Sequence, residues 1–308
     1  MNKLFILGVG RSGTSLLQSM LASHNEIAMM PETGFIRRYL VAPVFSGKQD
    51  VDIEALCADK YIQRWFDDGL LRTDFEKQKN ITYSSMYKNV QKIYAKNTVG
   101  SIKYIADKDP KMIEVLPHLD ELFCDYRVVH IIRDPRDVLL SKDKAEWSKK
   151  QSLIKKLIAN NTQLRISEFF LRKNASRIFE IKYEDLVAKP EAVLRSVCEF
   201  LNLDFDSSML SFQEQAEMLV STSEMSWKKE TVGPLLSQNF SKWKKEMPPT
   251  VAMLTESCCK SAMLKGRYEK LAVNVGFWNK AKNLVIISCV NVISFLYAWK
   301  AINLMKGR

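Results

Sequence analysis

The sequence predicts an α/β fold in which a parallel β-sheet is covered by helices on both faces. Short apolar runs of strand length alternate along the chain with longer segments of helical spacing. The first of these runs leads directly into a glycine loop and then a helix. Such alternation is typical of parallel sheets, because each parallel pair needs a crossover connection that is usually helical.

The predicted elements follow this alternation from the N-terminus onward. Each predicted strand is a short aliphatic run, and each predicted helix repeats apolar residues three or four positions apart. The strands are Leu4–Leu7, Arg127–Ile132 and Ile178–Tyr183, and the helices are Ser15–Ala22, Lys111–Cys124, Ser152–Arg172 and Pro190–Leu201. Residues 50–98 are also predicted to be helical, with Tyr61, Trp65 and Phe66 as packing residues.

The composition restricts the class of protein but does not identify its ligand. The chain has 308 residues, of which 46% are hydrophobic, enough for a large core. The net charge of +11 favours anionic ligands or surfaces, among them nucleotide phosphates, nucleic acid, acidic glycans and lipid headgroups. The six cysteines lack CxxC or zinc spacing. The N-terminal apolar run is too short for a signal peptide. Both features predict a cytoplasmic protein with reduced thiols.

The C-terminal tail differs from the rest of the chain. Leu284–Trp299 is almost wholly apolar and has lysines on both sides. It provides about 16 apolar residues, or roughly 22 if Lys300 and Asn303 are tolerated, compared with the roughly 20 that span a bilayer. Two alternatives stay open, a docked terminal helix or a membrane contact through residues 284–305 that lies on the surface or spans weakly. We therefore divide the chain into a domain of residues 1–275 and an apolar helical tail of residues 276–308.

A glycine loop follows the first predicted strand. Gly8 and Gly13 have the GxxxxG spacing of a P-loop, whose inward-pointing amides and following helix end hold phosphate. Thr14 stands where a P-loop normally has lysine, Ser15 keeps the hydroxyl position, and Arg11 moves the positive charge inside the loop. A plain glycine-rich turn is the alternative interpretation.

A second anion motif follows the strand Arg127–Ile132. Arg133 comes directly after this strand, where ligands gather in open α/β sheets. Pro135 suits a first helical turn, which places Ser141 about two turns along the helix. The arginine and the hydroxyl could hold a second phosphate, and a surface loop with Arg–Asp pairs is the alternative.

Together the two motifs resemble the sulfotransferases that use 3′-phosphoadenosine 5′-phosphosulfate. The segment GVGRSGTSLL is similar to the family's 5′-phosphosulfate loop, and RDPRDVLLS is similar to its 3′-phosphate motif. The likeness extends through Tyr183–Leu186 to Phe240–Trp243, so it covers residues 1 to about 270 but not the tail.

The resemblance implies a three-layer α/β/α fold like that of P-loop NTPases. It also implies that 3′-phosphoadenosine 5′-phosphosulfate is the co-substrate, and no metal is expected. It implies that the 5′-phosphosulfate is held by Arg11, Ser12, Gly13, Thr14 and Ser15. It also implies that Arg133 and Ser141 hold the 3′-phosphate and that Tyr183 lies near the adenine.

Glu32 and Lys108 are the candidate catalytic residues. Glu32 lies in a Glu-Thr context similar to that of the glutamate base in protein-tyrosine sulfotransferases, and Lys108 lies in a similar Lys-Asp-Pro. Ser241 resembles a serine that helps the donor site in those enzymes. The Lys-Thr-His triplet of many cytosolic members is absent. The weaker alternatives for the base are the three histidines, His24, His118 and His130.

Two other classes of protein remain as alternatives. A P-loop nucleotide kinase or NTPase fits the loop spacing, but Thr14 replaces the lysine that such enzymes place on the β- and γ-phosphates. A basic binding module fits the charge, but the sequence has no nucleic-acid signature, so we expect no nucleic-acid partner. The acceptor is expected to carry a hydroxyl on a glycan, a lipid or a metabolite; the sequence leaves the acceptor class and the oligomeric state open.

Overall fold

The computed structural model describes residues 1–41, 56, 58–63, 82–97, 100–109, 111–220, 232–236, 239–272 and 276–303. Five strands form one sheet, and every neighbouring pair of strands is parallel. The strands are β1 (Asn2–Leu7), β2 (Ile27–Met29), β3 (Tyr104–Lys108), β4 (Arg127–Ile132) and β5 (Ile178–Lys182). Their order across the sheet is β2-β3-β1-β4-β5. Because β1 is central, the segments that follow β3, β1 and β4 meet at one edge of the sheet.

Helices connect these strands and cover both faces of the sheet. They are α1 (Thr14–Ala22), α2 (Tyr83–Asn97), α3 (Leu119–Leu122), α4 (Pro135–Lys144), α5 (Glu146–Lys149), α6 (Leu153–Lys173), α7 (Tyr183–Ala188), α8 (Pro190–Leu201), α9 (Gln213–Leu219), α10 (Trp243–Glu246), α11 (Pro249–Cys258), α12 (Lys260–Lys265) and α13 (Phe277–Asn303). Shorter turns are the π-helical Ile36–Val41 and the 3₁₀ segments Met112–His118, Ala175–Arg177 and Ser207–Leu210.

The sheet separates two apolar clusters, which confirms the three-layer prediction. Successive side chains of a strand point to opposite faces. Accordingly, Phe5 of β1 is buried in the cluster that includes residues of α4 and α6, and its neighbour Ile6 is buried in the cluster that includes residues of α1 and α8. Burial of both faces of the sheet explains why apolar residues follow one another along the strands.

The sequence prediction missed two strands and misassigned two element boundaries. It did not include β2 or β3. The predicted helix Lys111–Cys124 is a 3₁₀ segment followed by the four-residue α3, and Pro117 lies within the 3₁₀ segment. A proline removes a backbone donor, which disfavours a continuous α-helix there. The strand predicted to reach Tyr183 ends one residue earlier, because Tyr183 begins α7.

The region 50–98 is only partly described. Tyr83–Asn97 is helical, as predicted. Trp65 and Phe66 lie outside the described residues. Tyr61, predicted to be a packing residue, is 47% exposed and packs against the Arg38 guanidinium, whose Cζ lies 5.3 Å from its ring centroid.

The C-terminal helix α13 docks on α6 in this structure. The Ser294 hydroxyl of α13 donates to the backbone oxygen of Ile158 at 3.2 Å, and Val290 is fully buried. The part of α13 from Lys280 to Asn303 is also long and apolar enough, by length and composition, to cross a membrane. The division of the chain at residue 275 stays a prediction.

The turn at Gly13 fixes how β1 enters α1. The φ angle of Gly13 is 94°, and a Cβ there would lie 2.3 Å from Cδ2 of Tyr183. We expect Gly13→Ala to lower the free energy of unfolding by more than about 1–2 kcal/mol, since left-handed strain and a steric clash add. Urea denaturation would measure this loss.

Gly276→Ala is the matched control for this substitution. A methyl group at Gly276 would meet no described atom within 4 Å. Equal effects of the two substitutions would show that the chain does not need glycine at position 13.

Candidate active site

The loop after β1 opens the N-terminal end of α1 toward a cavity. Gly13 is the N-cap of α1, and Thr14 and Ser15 of its first turn line the cavity. Gly8 is required because a Cβ there would lie 2.7 Å from the carbonyl oxygen of Ile131 in β4. The backbone of Arg11 adopts the left-handed conformation, with a φ of 79°. The positive end of α1 and its free amides make this end of the cavity suited to an anion.

Arg133 joins this loop to the ends of β4 and β5. Its guanidinium donates to the carbonyl of Arg11 and to the carbonyl of Asn239, each at 3.2 Å. Its Cζ lies 4.1 Å from the ring centroid of Tyr183, so the cation packs on the aromatic face. Its Nε is buried and has no partner among the described residues.

Ser141 meets the loop from the opposite wall. Its Oγ accepts a hydrogen bond from Arg11 Nε at 3.0 Å, although 130 positions separate the two residues. The structure therefore brings Arg11, Arg133 and Ser141 together at one place, as the motif spacing predicts. A guanidinium and a hydroxyl that converge on the loop in this way could hold a second anionic group.

The buried Lys108 and the partly exposed Glu32 form an ion pair beside the loop. Lys108 is the last residue of β3 and is fully buried, and Glu32 follows β2. Lys108 Nζ donates to Glu32 Oε2 at 2.6 Å and to Ser15 Oγ at 3.0 Å. Since β3 pairs directly with β1, with Ile6 opposite Lys108, this lysine reaches the first turn of α1. A cation and a carboxylate thus lie at the entrance of the loop.

These groups share one cavity of about 1090 Å³. Of the predicted site residues, those that line it are Arg11, Gly13, Thr14, Ser15, Glu32, Arg133, Ser141 and Tyr183. Lys108 does not itself line the cavity and reaches it through Ser15 and Glu32. Ser12 is buried away from the cavity, and its backbone amide donates to the Val9 carbonyl at 3.0 Å.

Ser241 likewise lies outside the cavity lining in the described structure. Its backbone amide donates to Asp137 Oδ2 at 2.6 Å, and the amide of Trp243 donates to Asp137 Oδ1 at 2.9 Å. Asp137 therefore holds the segment that carries Ser241 against α4. A donor contact of Ser241 stays a prediction.

The histidines have structural neighbours outside the cavity. His24 Nε2 lies 2.8 Å from the carbonyl oxygen of Asp204. His130 Nδ1 lies 3.0 Å from Glu180 Oε2. Although burial alone would raise the pKa of Glu180, its contacts with His130 and Lys265 lower that pKa to about 2. His118 is buried, and none of the three lines the described cavity. Their geometry supports none of them as a base in this cavity.

The second motif is held by a buried ion-pair network. Arg136 is 2% exposed and lies between Asp134, at 2.7 Å, and Glu256, at 2.6 Å. Its guanidinium packs 3.6 Å from the ring centroid of Trp243. Asp134 also caps α4 by accepting from the Arg136 amide. The alternative of a solvent-exposed loop with Arg–Asp pairs is wrong, because these charges are buried and fix the loop that carries Arg133.

Asn239 and Lys142 are among the polar residues of the cavity that sequence reasoning missed. Asn239 donates from Nδ2 to the Tyr183 hydroxyl at 3.0 Å, which orients the ring beneath Arg133. Lys142 lines the cavity next to Ser141 and donates to Asn160 of α6. Neither lies in a recognisable motif position. Lys142 lies on the predicted helix that follows Arg133. Its position next to Ser141 in the sequence is the signal that could have suggested it.

The model of the sulfotransferase family matches residues 3–207. The chain belongs to the sulfotransferase family.

Individual proteins also match over most of the chain. Protein-tyrosine sulfotransferase 1 of Danio rerio is 24% identical over 256 residues, which are 80% of this chain and 66% of that protein. An uncharacterized protein of Aquifex aeolicus is 20% identical over 271 residues, 82% of this chain and 32% of that protein. This chain therefore spans a third to two thirds of the length of these relatives.

A solved sulfotransferase domain shows the same fold. The sulfotransferase domain from the curacin biosynthetic pathway superposes with a TM-score of 0.66, at 21% identity, over 88% of this chain and 99% of that one. At this identity the likeness concerns the fold. The family match favours sulfuryl transfer over the kinase or NTPase alternative.

Within this sulfotransferase cavity Lys142 is a buried cation without a carboxylate. It is 4% exposed, and no carboxylate of the described residues lies within 4.0 Å of its Nζ. Burial lowers the pKa of Lys142 from its ordinary 10.5 to about 8. Between these values the folded chain binds fewer protons than the unfolded chain, so this group's contribution to stability rises with pH across that window.

We expect Lys142→Met to stabilise the unliganded protein below pH 8. The pKa shift corresponds to about 3 kcal/mol, and the lost hydrogen bond to Asn160 offsets about 1 kcal/mol, which leaves about 2 kcal/mol. The gain should shrink as the pH rises from 8 toward 10.5. Urea denaturation at several pH values would measure it, with the exposed Lys155→Met as control. A pH-independent gain would contradict this account of Lys142.

Proposed function

We propose that the protein transfers the sulfuryl group of 3′-phosphoadenosine 5′-phosphosulfate to an acceptor hydroxyl. The observation that supports this most is the convergence of the α1 loop, Arg133 and Ser141 in one cavity. Two separate anion positions connected by a single cavity suit a nucleotide that carries phosphate groups at both its 5′ and 3′ ends.

The residues of the loop suit the 5′-phosphosulfate. Backbone amides at the start of α1 and the side chains of Arg11, Thr14 and Ser15 face the cavity there. Ser12 and Gly13 would contribute through the backbone, since Ser12 is buried and Gly13 has no side chain. In this proposal the helix end carries much of the charge stabilisation that a P-loop lysine would otherwise supply.

Arg133 and Ser141 suit the 3′-phosphate. The Arg133 guanidinium is fixed by two carbonyls and the Tyr183 ring, and its buried Nε is a donor that a phosphate oxygen would satisfy. Tyr183 lines the cavity and is proposed to lie near the adenine, in addition to supporting Arg133. We propose that transfer is independent of metal, because the backbone amides at the start of α1 together with arginine and lysine side chains could neutralise the charge of the donor.

Glu32 and Lys108 are proposed to assist the transfer itself. The acceptor oxygen forms a bond to sulfur as the bond between sulfur and the phosphate oxygen breaks, and the 5′-phosphate retains that electron pair. Glu32 would accept the acceptor's proton, and Lys108 would stabilise the charge that grows on the leaving phosphate. The contacts of Lys108 with Ser15 and Glu32 support this division, because one ammonium links the phosphate end of α1 to the base.

The acceptor is proposed to be a hydroxyl compound of the glycan, lipid or metabolite class. Tyrosyl hydroxyls belong in the comparison, because several relatives are named protein-tyrosine sulfotransferases. The direct test is a transfer assay with sulfur-labelled donor, performed with a chelator, across one acceptor of each class. Labelled product is the expected result. Phosphorylation of an acceptor from Mg·ATP, without sulfuryl transfer to any class, would contradict the proposal.

The substitution Arg133→Ala tests whether the 3′-phosphate and the 5′-phosphate bind at different positions. We expect it to weaken adenosine 3′,5′-bisphosphate by about 10- to 100-fold, as expected for loss of a charged hydrogen bond. Adenosine 5′-phosphate should lose far less affinity, because Arg133 is assigned as a ligand only to the 3′-phosphate and supports the 5′ loop only through its bond to the Arg11 carbonyl. Isothermal titration calorimetry measures both ligands. Equal losses for the two would remove Arg133 from the proposed 3′-phosphate site.

Glu32→Gln tests the base. We expect turnover to fall by about 10²- to 10⁴-fold, while the affinity for adenosine 3′,5′-bisphosphate is retained. Glu26→Gln is a suitable control, because Glu26 also pairs with a lysine, Lys103 at 2.9 Å, and does not line the cavity. Thermal unfolding of both variants monitors folding. Unchanged turnover in a folded Glu32→Gln variant would exclude Glu32 as base.

A further inference from the structure

The outward surface of α13 is strongly apolar. Its exposed large apolar side chains, called here the outer face of α13, are between 37% and 65% exposed. They are Leu284, Val285, Val292, Ile293, Phe295, Leu296, Tyr297 and Trp299. A continuous apolar surface of this kind marks an interaction site on a soluble domain.

The side of α13 that docks on the domain is composed differently. Small or polar residues lie there beside the fully buried Val290, with Ser294 also fully buried and Ala298 3% exposed. Asn291 Oδ1 accepts from Asn161 Nδ2 at 2.9 Å and from Arg165 Nη2 at 3.1 Å. A surface helix ordinarily turns its apolar side to the core and its polar side to water. In α13 the larger apolar side chains face outward.

We propose that the outer face of α13 lies on the surface of an anionic lipid bilayer. Three exposed lysines, Lys280, Lys282 and Lys300, flank the apolar surface at its two ends. Tyr297 and Trp299 stand next to Lys300, and such side chains are typical of the boundary between lipid and water. Apolar burial and attraction to lipid phosphates act together on such a helix.

A second copy of the chain fits this surface less well. Helix α13 contains three lysines within Phe277–Asn303 and no aspartate or glutamate. Pairing two such helices, parallel or antiparallel, sets lysines near lysines without a carboxylate on either helix. Lipid phosphates supply the opposite charge that a second α13 lacks.

The docking contacts indicate a helix that lies on the bilayer instead of crossing it. Spanning would break the bonds of Asn291 and Ser294 to α6 and expose these polar groups to hydrocarbon. Helix α6 extends the same surface, because Ile154 and Phe169 are 45% and 41% exposed. They lie at helical spacing from Ile158 and Arg165, which touch α13.

Vesicle co-sedimentation of the full chain tests the proposal without relying on enzymatic activity. Binding is expected to vesicles that contain phosphatidylglycerol, to weaken with salt, and to be much weaker for pure phosphatidylcholine. A triple variant of the outer face should bind at least about tenfold less, since each substitution removes a large apolar side chain from the contact. This outer-face variant combines Val285→Ser, Leu296→Ser and Trp299→Ser. Its matched control changes three exposed apolar residues elsewhere, with Met218→Ser, Leu236→Ser and Leu264→Ser.

A second pair of variants isolates the charge contribution. Lys280→Gln, Lys282→Gln and Lys300→Gln together should lower binding to the anionic vesicles. The control has the same net charge and consists of Lys189→Gln, Lys260→Gln and Lys270→Gln, all on exposed lysines elsewhere.

Three results would overturn the proposal. One is equal vesicle binding by the outer-face variant and its control. Another is a dimer in analytical ultracentrifugation that the outer-face variant abolishes, because that assigns the face to a second copy. The third is retention in vesicles after alkaline carbonate extraction, because that indicates a spanning helix.

Discussion

The site depends on the packing of Arg133 between the loop and Tyr183. This guanidinium binds the carbonyl of Arg11 and stacks on the Tyr183 ring, so it links the segments that follow β1, β4 and β5. The same ring passes so close to Gly13 that no side chain fits there. The loop, the second motif and the start of α7 are therefore interdependent, and none can move without the others.

The cations near the cavity differ in their partners, and this difference indicates where an anion would bind. Lys108 is paired with Glu32, and the buried Arg136 has two carboxylates. Lys142 has an amide, and Arg133 has carbonyls and an aromatic face. Among the described residues, no carboxylate lies within ion-pair distance of Lys142 or Arg133, and because a buried charge is costly unless it is paired, their positive charge favours binding of a ligand's negative groups there. Near Glu32 the charges of Lys108 and Glu32 compensate each other, which suits the binding of a neutral acceptor that must lose a proton.

The layer architecture and the meeting of the two anion motifs were predictable from sequence because both follow from local patterns. Parallel strands bring their carboxyl ends to one edge, so residues directly after β1 and β4 must converge. Strand β2 was not predictable because it has only three residues. The burial of Arg136 and the Asn239–Tyr183 bond depend on tertiary contacts with Glu256 and Tyr183, which no motif spacing encodes.

A crystal structure with adenosine 3′,5′-bisphosphate would test the central claim most directly. The account predicts the 5′-phosphate at the amides that begin α1 and the 3′-phosphate between the Arg133 guanidinium and the Ser141 hydroxyl. The direct Arg11–Ser141 contact need not persist in that complex. A bisphosphate bound elsewhere, or with its 3′-phosphate in solvent and Arg133 still bonded only to protein carbonyls, would contradict the account.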